Sequence, residues 1–203
     1  MKEYTTVKNI EEYSETINKS KFIVNISRVE TAEEAAEFIQ KISKNYYDAT
    51  HNCYAYMVGD TAKFSDNGEP GGTAGLPIYE TIKKQNLDRV CVVVTRYFGG
   101  IKLGAGGLIR AYGGCAAAAL AQAEKIQISL ITPFKVILPY NMLKQTKAEI
   151  EQNAKVVSIT YGENVMLTVN AKSAEAKTVA DKIIDFTQGR AEITFEDEFL
   201  GEY

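Results

Sequence analysis

The chain of 203 residues has no tryptophan, one histidine, three cysteines and four prolines. The single histidine excludes any site built on two histidines. The cysteines, Cys53, Cys91 and Cys115, form no C-x-x-C pair, which argues against a disulfide framework or a zinc site and for reduced thiols. No apolar run approaches the roughly 18 residues that a membrane helix needs, and the polar start of the chain lacks an apolar signal region. We therefore expect a cytoplasmic protein with no membrane partner.

The chain also has little net charge, with a formal value of −3 and a pI of about 5.4. This excludes a protein that is basic throughout, but it allows a local basic patch. Residues 89–123 contain basic side chains and no acidic one, whereas residues 133–203 hold 8 basic and 11 acidic side chains. The sequence therefore predicts a basic segment inside a neutral first half, followed by an acidic second half.

Glycine is concentrated in one part of the chain, since 11 of the 15 glycines lie within Gly68–Gly114. Ordered glycine costs conformational entropy, so this concentration needs a reason. The options are a positive φ, close approach of the backbone to a ligand, or tight packing of a helix. Because Gly113 and Gly114 lie inside a predicted helix, we expect that helix to pack tightly on a sheet at that point.

The first half alternates between strand and helix patterns. Val90–Val94 (VCVVV) is a continuous apolar run, typical of a strand buried on both faces. Thr31 and Glu34 form a capping-box pattern that opens a helix, and Thr73 is placed to cap another. The predicted strands are Lys21–Val29, Asn52–Val58, Ala62–Ser65 and Val90–Val94, and the helices run from Thr31, from Thr73 to about Gln85, and from about Gly106 to Lys125.

The second half has the pattern β-α-β-β-α-β, the split-βαβ order of a ferredoxin-like domain. Pro133 falls within the strand-like segment Ile126–Leu138, and proline interrupts the hydrogen bonding of a strand. We therefore expect a break between two strands and a domain boundary near Thr132, which gives domains of residues 1–132 and 133–203.

Three segments resemble the YigZ/IMPACT family. They are Ala49–Tyr56 (ATHNCYAY), Asp66–Gly75 (DNGEPGGTAG) and Thr95–Tyr112 (TRYFGGIKLGAGGLIRAY). The resemblance covers about residues 20–120, and the long glycine-rich motif is highly specific. The second half is similar to the small C-terminal domain of bacterial members.

This resemblance implies an α+β fold. Residues 1–132 would form a domain like the second domain of ribosomal protein S5. Residues 133–203 would form a ferredoxin-like domain similar to C-terminal domains of elongation factor G. Eukaryotic relatives regulate translation through a protein partner, so the resemblance implies a translation-related role. No cofactor or metal is expected.

The segment Thr95–Arg110 predicts a site for phosphate or nucleic acid. A glycine-rich turn between a buried strand and a helix presents several backbone N–H groups, and the helix N-terminus adds partial positive charge. Basic side chains add full charges, and aromatic ones can stack on bases. The glycine spacing matches neither a Walker loop nor G-x-G-x-x-G. The alternative is a tight connection whose arginines only tie loops together. The predicted site comprises Arg96, Tyr97, Gly99, Gly100, Lys102, Gly104, Gly106, Gly107 and Arg110.

A second group, His51, Asp66, Glu69 and Thr73, is a candidate pocket rim. These residues suit acid/base chemistry, and the two carboxylates suit Mg²⁺. Alternatively, Asp66 shapes a turn, Thr73 caps the next helix and Glu69 pairs with a motif arginine. His51 and Cys53 also admit a Cys–His pair, although a strand cysteine is usually buried. Because both glycine-rich segments border strands of one sheet, we expect one composite pocket, with no catalytic residue assigned.

These observations favour a non-enzymatic, translation-related regulatory or ribosome-associated factor that binds RNA or another anionic ligand at the glycine/arginine loop. Two alternatives stay open. One is an enzyme acting on a phosphorylated small molecule or peptide in the same pocket; the other is a pure protein-interaction module. The partner would be RNA, the ribosome or a translation-regulating protein. A closed cleft in which His51, Asp66 and Glu69 touch would favour chemistry, whereas an open, basic, aromatic-bearing face would favour binding.

Overall fold

A computed structural model of the protein describes residues 2–8 and 12–203; Met1 and residues 9–11 lie outside it. The chain divides into two compact units, Tyr4–Ile126 and Gln127–Tyr203, and Lys2 and Glu3 belong with the second. Within the described residues, no helix is long and apolar enough to cross a membrane.

The first unit is built on an antiparallel sheet. The strands of this unit are β1 (Tyr4–Val7), β2 (Tyr13–Ile17), β3 (Ser20–Arg28), β4 (His51–Val58), β5 (Thr61–Ser65) and β6 (Val90–Tyr97). Five of them form the sheet, in the order β2-β3-β6-β4-β5. The run Val90–Val94 lies in the central strand and is fully buried. This confirms the prediction of a strand covered on both faces.

Three helices cover that sheet: α1 (Ala32–Asn45), α2 (Gly75–Lys84) and α3 (Gly104–Gln122). Alternate side chains of β6 face opposite ways, so Cys91 and Val93 pack in one core with α1, and Val92 and Val94 pack in another with α2 and α3. The N-cap predicted for α1 is confirmed, because the Glu34 N–H donates to Thr31 Oγ1 at 3.2 Å, although the Glu34 carboxylate accepts from the Glu30 N–H and not from that of Thr31.

Of the glycine pair in α3, only Gly113 faces another helix. A Cβ on Gly113 would lie 3.7 Å from Pro77 Cβ of α2, and a Cβ on Gly114 would meet no atom within 4 Å. The prediction that this pair marks tight packing on the sheet is therefore wrong. Gly113 lies against α2 with room for a Cβ at an ordinary contact distance, and Gly114 is exposed.

The second unit has the predicted α+β, ferredoxin-like order of elements. Its sheet has β9 between β7 and β8, and both β10 and β11 pair with β7. Helices α4 and α5 bury Ile150 and Ile183 in one core with sheet residues such as Phe134 and Leu167. The elements are β7 (Lys125–Leu138), α4 (Leu143–Ile150), β8 (Lys155–Tyr161), β9 (Val165–Lys172), α5 (Ser173–Phe186), β10 (Glu192–Phe195) and β11 (Phe199–Glu202), with a short 3-10 helix at Tyr140–Met142.

Pro133 does not break a strand, so the predicted interruption is wrong. Strand β7 is continuous through Pro133, which pairs in register with Asn170 of β9. On the other edge, β11 pairs with 128–131 and β10 pairs with 134–137, so the proline falls between them. There the Pro133 carbonyl accepts a hydrogen bond from the Glu196 N–H at 2.9 Å. Proline is tolerated at such an interruption of the ladder.

Candidate functional site

A cleft of about 450 Å³ opens in the first unit where the two glycine-rich segments meet. Strand pairing places His51 of β4 directly opposite Arg96 of β6, and the turn after β5 brings Glu69 beside them. The segment after β6 and the start of α3 complete the walls. The lining residues are Thr50, His51, Glu69, Pro70, Arg96, Phe98, Lys102, Leu103, Gly104, Ala105 and Leu108.

A buried ion pair forms one wall of this cleft. The Arg96 guanidinium donates to Glu69 Oε1 at 2.7 Å, and the two side chains are only 6% and 4% exposed. The Tyr112 hydroxyl donates to the same oxygen at 2.7 Å. Burial raises the pKa of the Tyr112 phenol, so it stays neutral and remains a donor. Because a buried charge depends on its partners, these three groups stabilise one another.

Arg96 is held in place on several sides. Its Nη2 donates to Ser20 Oγ at 3.2 Å, and its guanidinium carbon lies 5.6 Å from the Phe22 ring centroid and 5.5 Å from that of Phe98. Within the described residues its Nε is buried and has no hydrogen-bond partner. Most of the positive charge of Arg96 is thus compensated by Glu69, while its position at the cleft wall is fixed.

His51 is oriented by a backbone contact. Its Nδ1 lies 2.8 Å from the Asn67 carbonyl oxygen, and a carbonyl can only accept, so Nδ1 carries the hydrogen. The other ring nitrogen, Nε2, lies 3.8 Å from Glu69 Oε2. A Cβ on Gly68 would lie 3.3 Å from His51 Nδ1. Glycine at that position, which has φ +86, therefore leaves room for the ring.

Asp66 and Thr73 do not face the cleft. Asp66 accepts hydrogen bonds from the N–H groups of Gly72, Ala74 and Gly75 at 2.8–2.9 Å. Burial opposes the charge of Asp66, but these three amide donors outweigh it and lower the pKa of the carboxyl. The Thr73 hydroxyl donates to the Pro70 carbonyl at 2.6 Å. The prediction that Thr73 caps α2 is therefore wrong, because Asp66 performs that role.

This arrangement also separates the two carboxylates proposed for Mg²⁺. Asp66 points to the amides of α2, and Glu69 pairs with Arg96. Within residues 2–8 and 12–203, no group of three or more His, Cys, Asp or Glu side chains is placed to hold a metal ion. The Cys–His pair is also absent from this part of the chain, because the Cys53 thiol donates to the Asp66 carbonyl and His51 contacts Asn67.

The start of α3 opens onto the cleft. The N-cap residue Leu103, just before the helix, provides no side-chain cap. The first helical residue, Gly104, has φ +69, a backbone conformation that favours glycine. The first N–H groups of a helix have no partner within it, so they present partial positive charge. Lys102 is exposed on the same rim. The ion pairs of the described residues include Arg96 but neither Lys102 nor Arg110.

The three cations of the motif do not converge. Arg96 and Lys102 line the cleft, but Arg110 lines two other cavities, one of them beside Gly107. The reason is helix geometry, since six residues after Gly104 a side chain projects about 120° away around the axis of α3. Of the three basic residues predicted for one site, only Arg96 and Lys102 therefore line the same cleft.

The remaining predicted residues have local structural roles. The Tyr97 hydroxyl donates to Asp48 Oδ1 at 2.8 Å, and this bond raises the pKa of Tyr97 to about 12. A Cβ on Gly99 would lie 1.9 Å from the Lys19 carbonyl oxygen, so only glycine fits there. Gly100 has φ +83, and Gly106 lies exposed in the first turn of α3.

Sequence reasoning missed two residues that support the site. Tyr112 is fully buried on the apolar face of α3, and its hydroxyl reaches Glu69. Ser20, at the start of β3, accepts from both Arg96 and the Gly99 N–H. The signal for Tyr112 was available, because a phenol at a core position of a helix needs a polar partner. Ser20 lies 76 residues from Arg96 and carries no such signal.

Comparison with known proteins assigns the chain to a family. The family model "Impact N-terminal domain" matches residues 18–120, about half of the chain, and includes every residue of the cleft. The chain belongs to the IMPACT family. A second model, "Domain of unknown function (DUF1949)", matches residues 136–190 within the second unit.

Relatives match along nearly the full chain. The IMPACT family member YvyE of Bacillus subtilis is 42% identical over 194 residues, which is 94% of this chain and 89% of that protein. The IMPACT family member YigZ of Escherichia coli is 33% identical over 190 residues, or 91% and 93% of the two chains. A crystal structure titled as that of a hypothetical protein is similar with a TM-score of 0.63 and 30% identity, covering 97% of this chain and 98% of that one.

Proposed function

We propose that this IMPACT family member is a translation-related regulatory factor whose first unit binds RNA by its phosphates in the cleft. Family membership supports the regulatory role. One observation carries the binding site: the uncapped N-terminus of α3 opens into the same cleft that Lys102 lines. Partial charges of helix amides and a full ammonium charge at one rim favour phosphate.

The electrostatic balance of the cleft supports an anionic ligand. Glu69 compensates Arg96, so these two contribute little net charge. Lys102 and the amides of α3 then leave the cleft positive overall. A lysine that is exposed and without an ion pair among the described residues can neutralise a phosphate and release a counterion.

Exposed apolar side chains beside the cleft suit an unpaired nucleotide base. Phe98 lines the cleft and is 47% exposed, and the nearby Ile101 is 43% exposed. Bases of single-stranded nucleic acid stack on such side chains, and stacking tolerates any sequence. A phosphate site flanked by an exposed ring therefore supports binding of single-stranded RNA.

The geometry favours binding over chemistry. Catalysis by the candidate rim required His51, Asp66 and Glu69 to touch one another, but Asp66 is directed to the amides of α2. The rim with Lys102 and Phe98 is open and bears both a cation and an aromatic ring. These features support a binding surface.

Salt-dependent RNA binding tests this proposal. We expect the wild-type protein to bind single-stranded RNA with an affinity that falls with salt concentration. Lys102→Ala should weaken binding and lower the slope of log K against log salt by about one. Lys41→Ala is the matched control, because Lys41 is an exposed lysine on α1, on the opposite face of the sheet. Equal salt slopes for Lys102→Ala and Lys41→Ala would exclude the cleft as the RNA-binding site. Co-purification of proteins without any RNA binding would support the protein-interaction module instead.

A further inference from the structure

Glu69 presents one carboxylate oxygen that no donor occupies among the described residues. Its Oε1 accepts from both Arg96 and Tyr112 at 2.7 Å. Its Oε2 lies 3.8 Å from His51 Nε2, beyond hydrogen-bond distance. The Glu69 side chain is only 4% exposed, and it lines the cleft. Because the side chain lines the cleft, this oxygen is an acceptor that a bound ligand can reach.

His51 presents a second acceptor at the same place. Because its Nδ1–H donates to the Asn67 carbonyl, Nε2 is the acceptor of the ring in this tautomer. Two acceptors, Nε2 and Oε2, therefore face each other across 3.8 Å. A ligand hydroxyl could donate here, whereas a phosphate oxygen could not, because it is itself an acceptor and negatively charged.

The cleft thus combines two chemistries within one cavity. One rim, with Lys102 and the first amides of α3, attracts an anion. The other, with Glu69 and His51, offers hydrogen-bond acceptors to a ligand. A suitable ligand carries a phosphate and a hydroxyl close together. In RNA the ribose 2′-hydroxyl neighbours the phosphate, and DNA lacks this group.

We infer that Glu69 and His51 recognise the ribose 2′-hydroxyl, so that the cleft discriminates RNA from DNA. This inference rests on the proposed function, since it requires the phosphate of the same nucleotide to bind at the Lys102 rim. Glu69 is a fixed acceptor because Arg96 and Tyr112 hold its other oxygen. His51 is fixed by its contact to Asn67.

Three random-sequence, single-stranded pools of equal length test the inference: RNA, its 2′-deoxy counterpart with deoxyuridine, and its 2′-O-methyl counterpart. We expect the wild-type protein to bind the RNA pool about tenfold more tightly than the other two, as for loss of a hydrogen bond to a charged group. A 2′-O-methyl group keeps the oxygen but removes the donor, so it should behave like the deoxy sugar.

Two variants separate this inference from the proposed function. His51→Asn removes the Nε2 acceptor while offering an amide N–H to the Asn67 carbonyl, and it should reduce the preference for RNA over the deoxy pool, with Glu69 Oε2 retaining part of it. Lys102→Ala should weaken all pools and keep their ratio. Equal wild-type affinities for the three pools, with Lys102→Ala still weakening them, would overturn the inference alone. Failure of every pool to bind would overturn both. If His51→Asn does not fold, the affinities of the wild-type protein for the three pools still test the inference.

Discussion

Glu69 and Arg96 form an ion pair at 2.7 Å that is almost fully buried in the wall of the cleft. The pair joins the turn after β5 to the end of β6, so it connects the two glycine-rich segments of the chain. Tyr112 of α3 completes it through the same Glu69 oxygen. This cluster fixes the shape of the cleft on which the proposed function depends.

The Tyr112 hydroxyl should contribute measurably to stability. Tyr112→Phe leaves the Glu69 carboxylate with one donor fewer in a buried site. We expect a loss of about 1.5–3 kcal/mol in the free energy of unfolding. Urea denaturation measures it, with Tyr97→Phe as the control, because the Tyr97 hydroxyl makes an exposed hydrogen bond to Asp48. A similar effect for both variants would contradict the account.

Glycine substitutions should have opposite effects at Gly99, in the motif, and at Gly114, in α3 just after it. Gly99→Ala places a Cβ 1.9 Å from the Lys19 carbonyl oxygen, so the backbone must move and the protein should be clearly destabilised. Gly114→Ala meets no atom within 4 Å in the middle of α3. It should stabilise the protein by about 0.5–1 kcal/mol, because alanine favours the helix. Thermal unfolding of the two variants measures whether each substitution raises or lowers stability. Destabilisation by Gly114→Ala would contradict the prediction.

The elements that the sequence predicted correctly depend on local patterns. The apolar run Val90–Val94 requires burial on both faces, and the N-cap at Thr31 acts within one helical turn. The short strands β2 and β11 were missed because each has only partly buried or exposed residues. A pattern of alternating burial is then too weak to predict a strand.

The site was predicted only in part, because its contacts are distant along the chain. Asp66 caps α2 from eight and nine residues upstream, whereas Thr73 lies directly before the helix and looked like its cap. The pairing of Glu69 with a motif arginine was one of the alternatives that the sequence left open, and the fold determines that this arginine is Arg96. The prediction that Arg110 joins this site was wrong, because the direction of its side chain depends on its position around the axis of α3.

Acid should remove part of the stabilisation that Asp66 gives. Its native carboxyl has a pKa below the ordinary 3.8, because the amide donors of Gly72, Ala74 and Gly75 outweigh the effect of burial. The stabilisation is therefore complete above the ordinary pKa and is lost as pH falls through the native one. Asp66→Asn should cost about 1–2 kcal/mol at neutral pH. Urea denaturation at a series of pH values should show this difference shrinking in acid; a constant difference would contradict it.

The three cysteines should react slowly in the native protein. Burial raises the pKa of Cys53 to about 12 and that of Cys115 to about 12, and it also raises the pKa of Cys91. Because only the thiolate reacts, labelling by a disulfide reagent should be at least about a hundredfold slower than in urea-unfolded protein. Rapid native labelling of Cys53, followed by mass spectrometry of peptides, would contradict its assignment as a buried structural residue.

The most direct test of the central claim is an NMR titration of the protein with single-stranded RNA. We predict that the amide resonances of Gly104, Ala105 and Gly106 shift together with those of Lys102 and Phe98, and that Lys102→Ala strongly reduces these shifts. Resonances of α1, on the opposite face of the sheet, should stay in place. Shifts confined to other surfaces would contradict a phosphate site in this cleft. So would the absence of any shift at RNA concentrations that another method shows to saturate the protein.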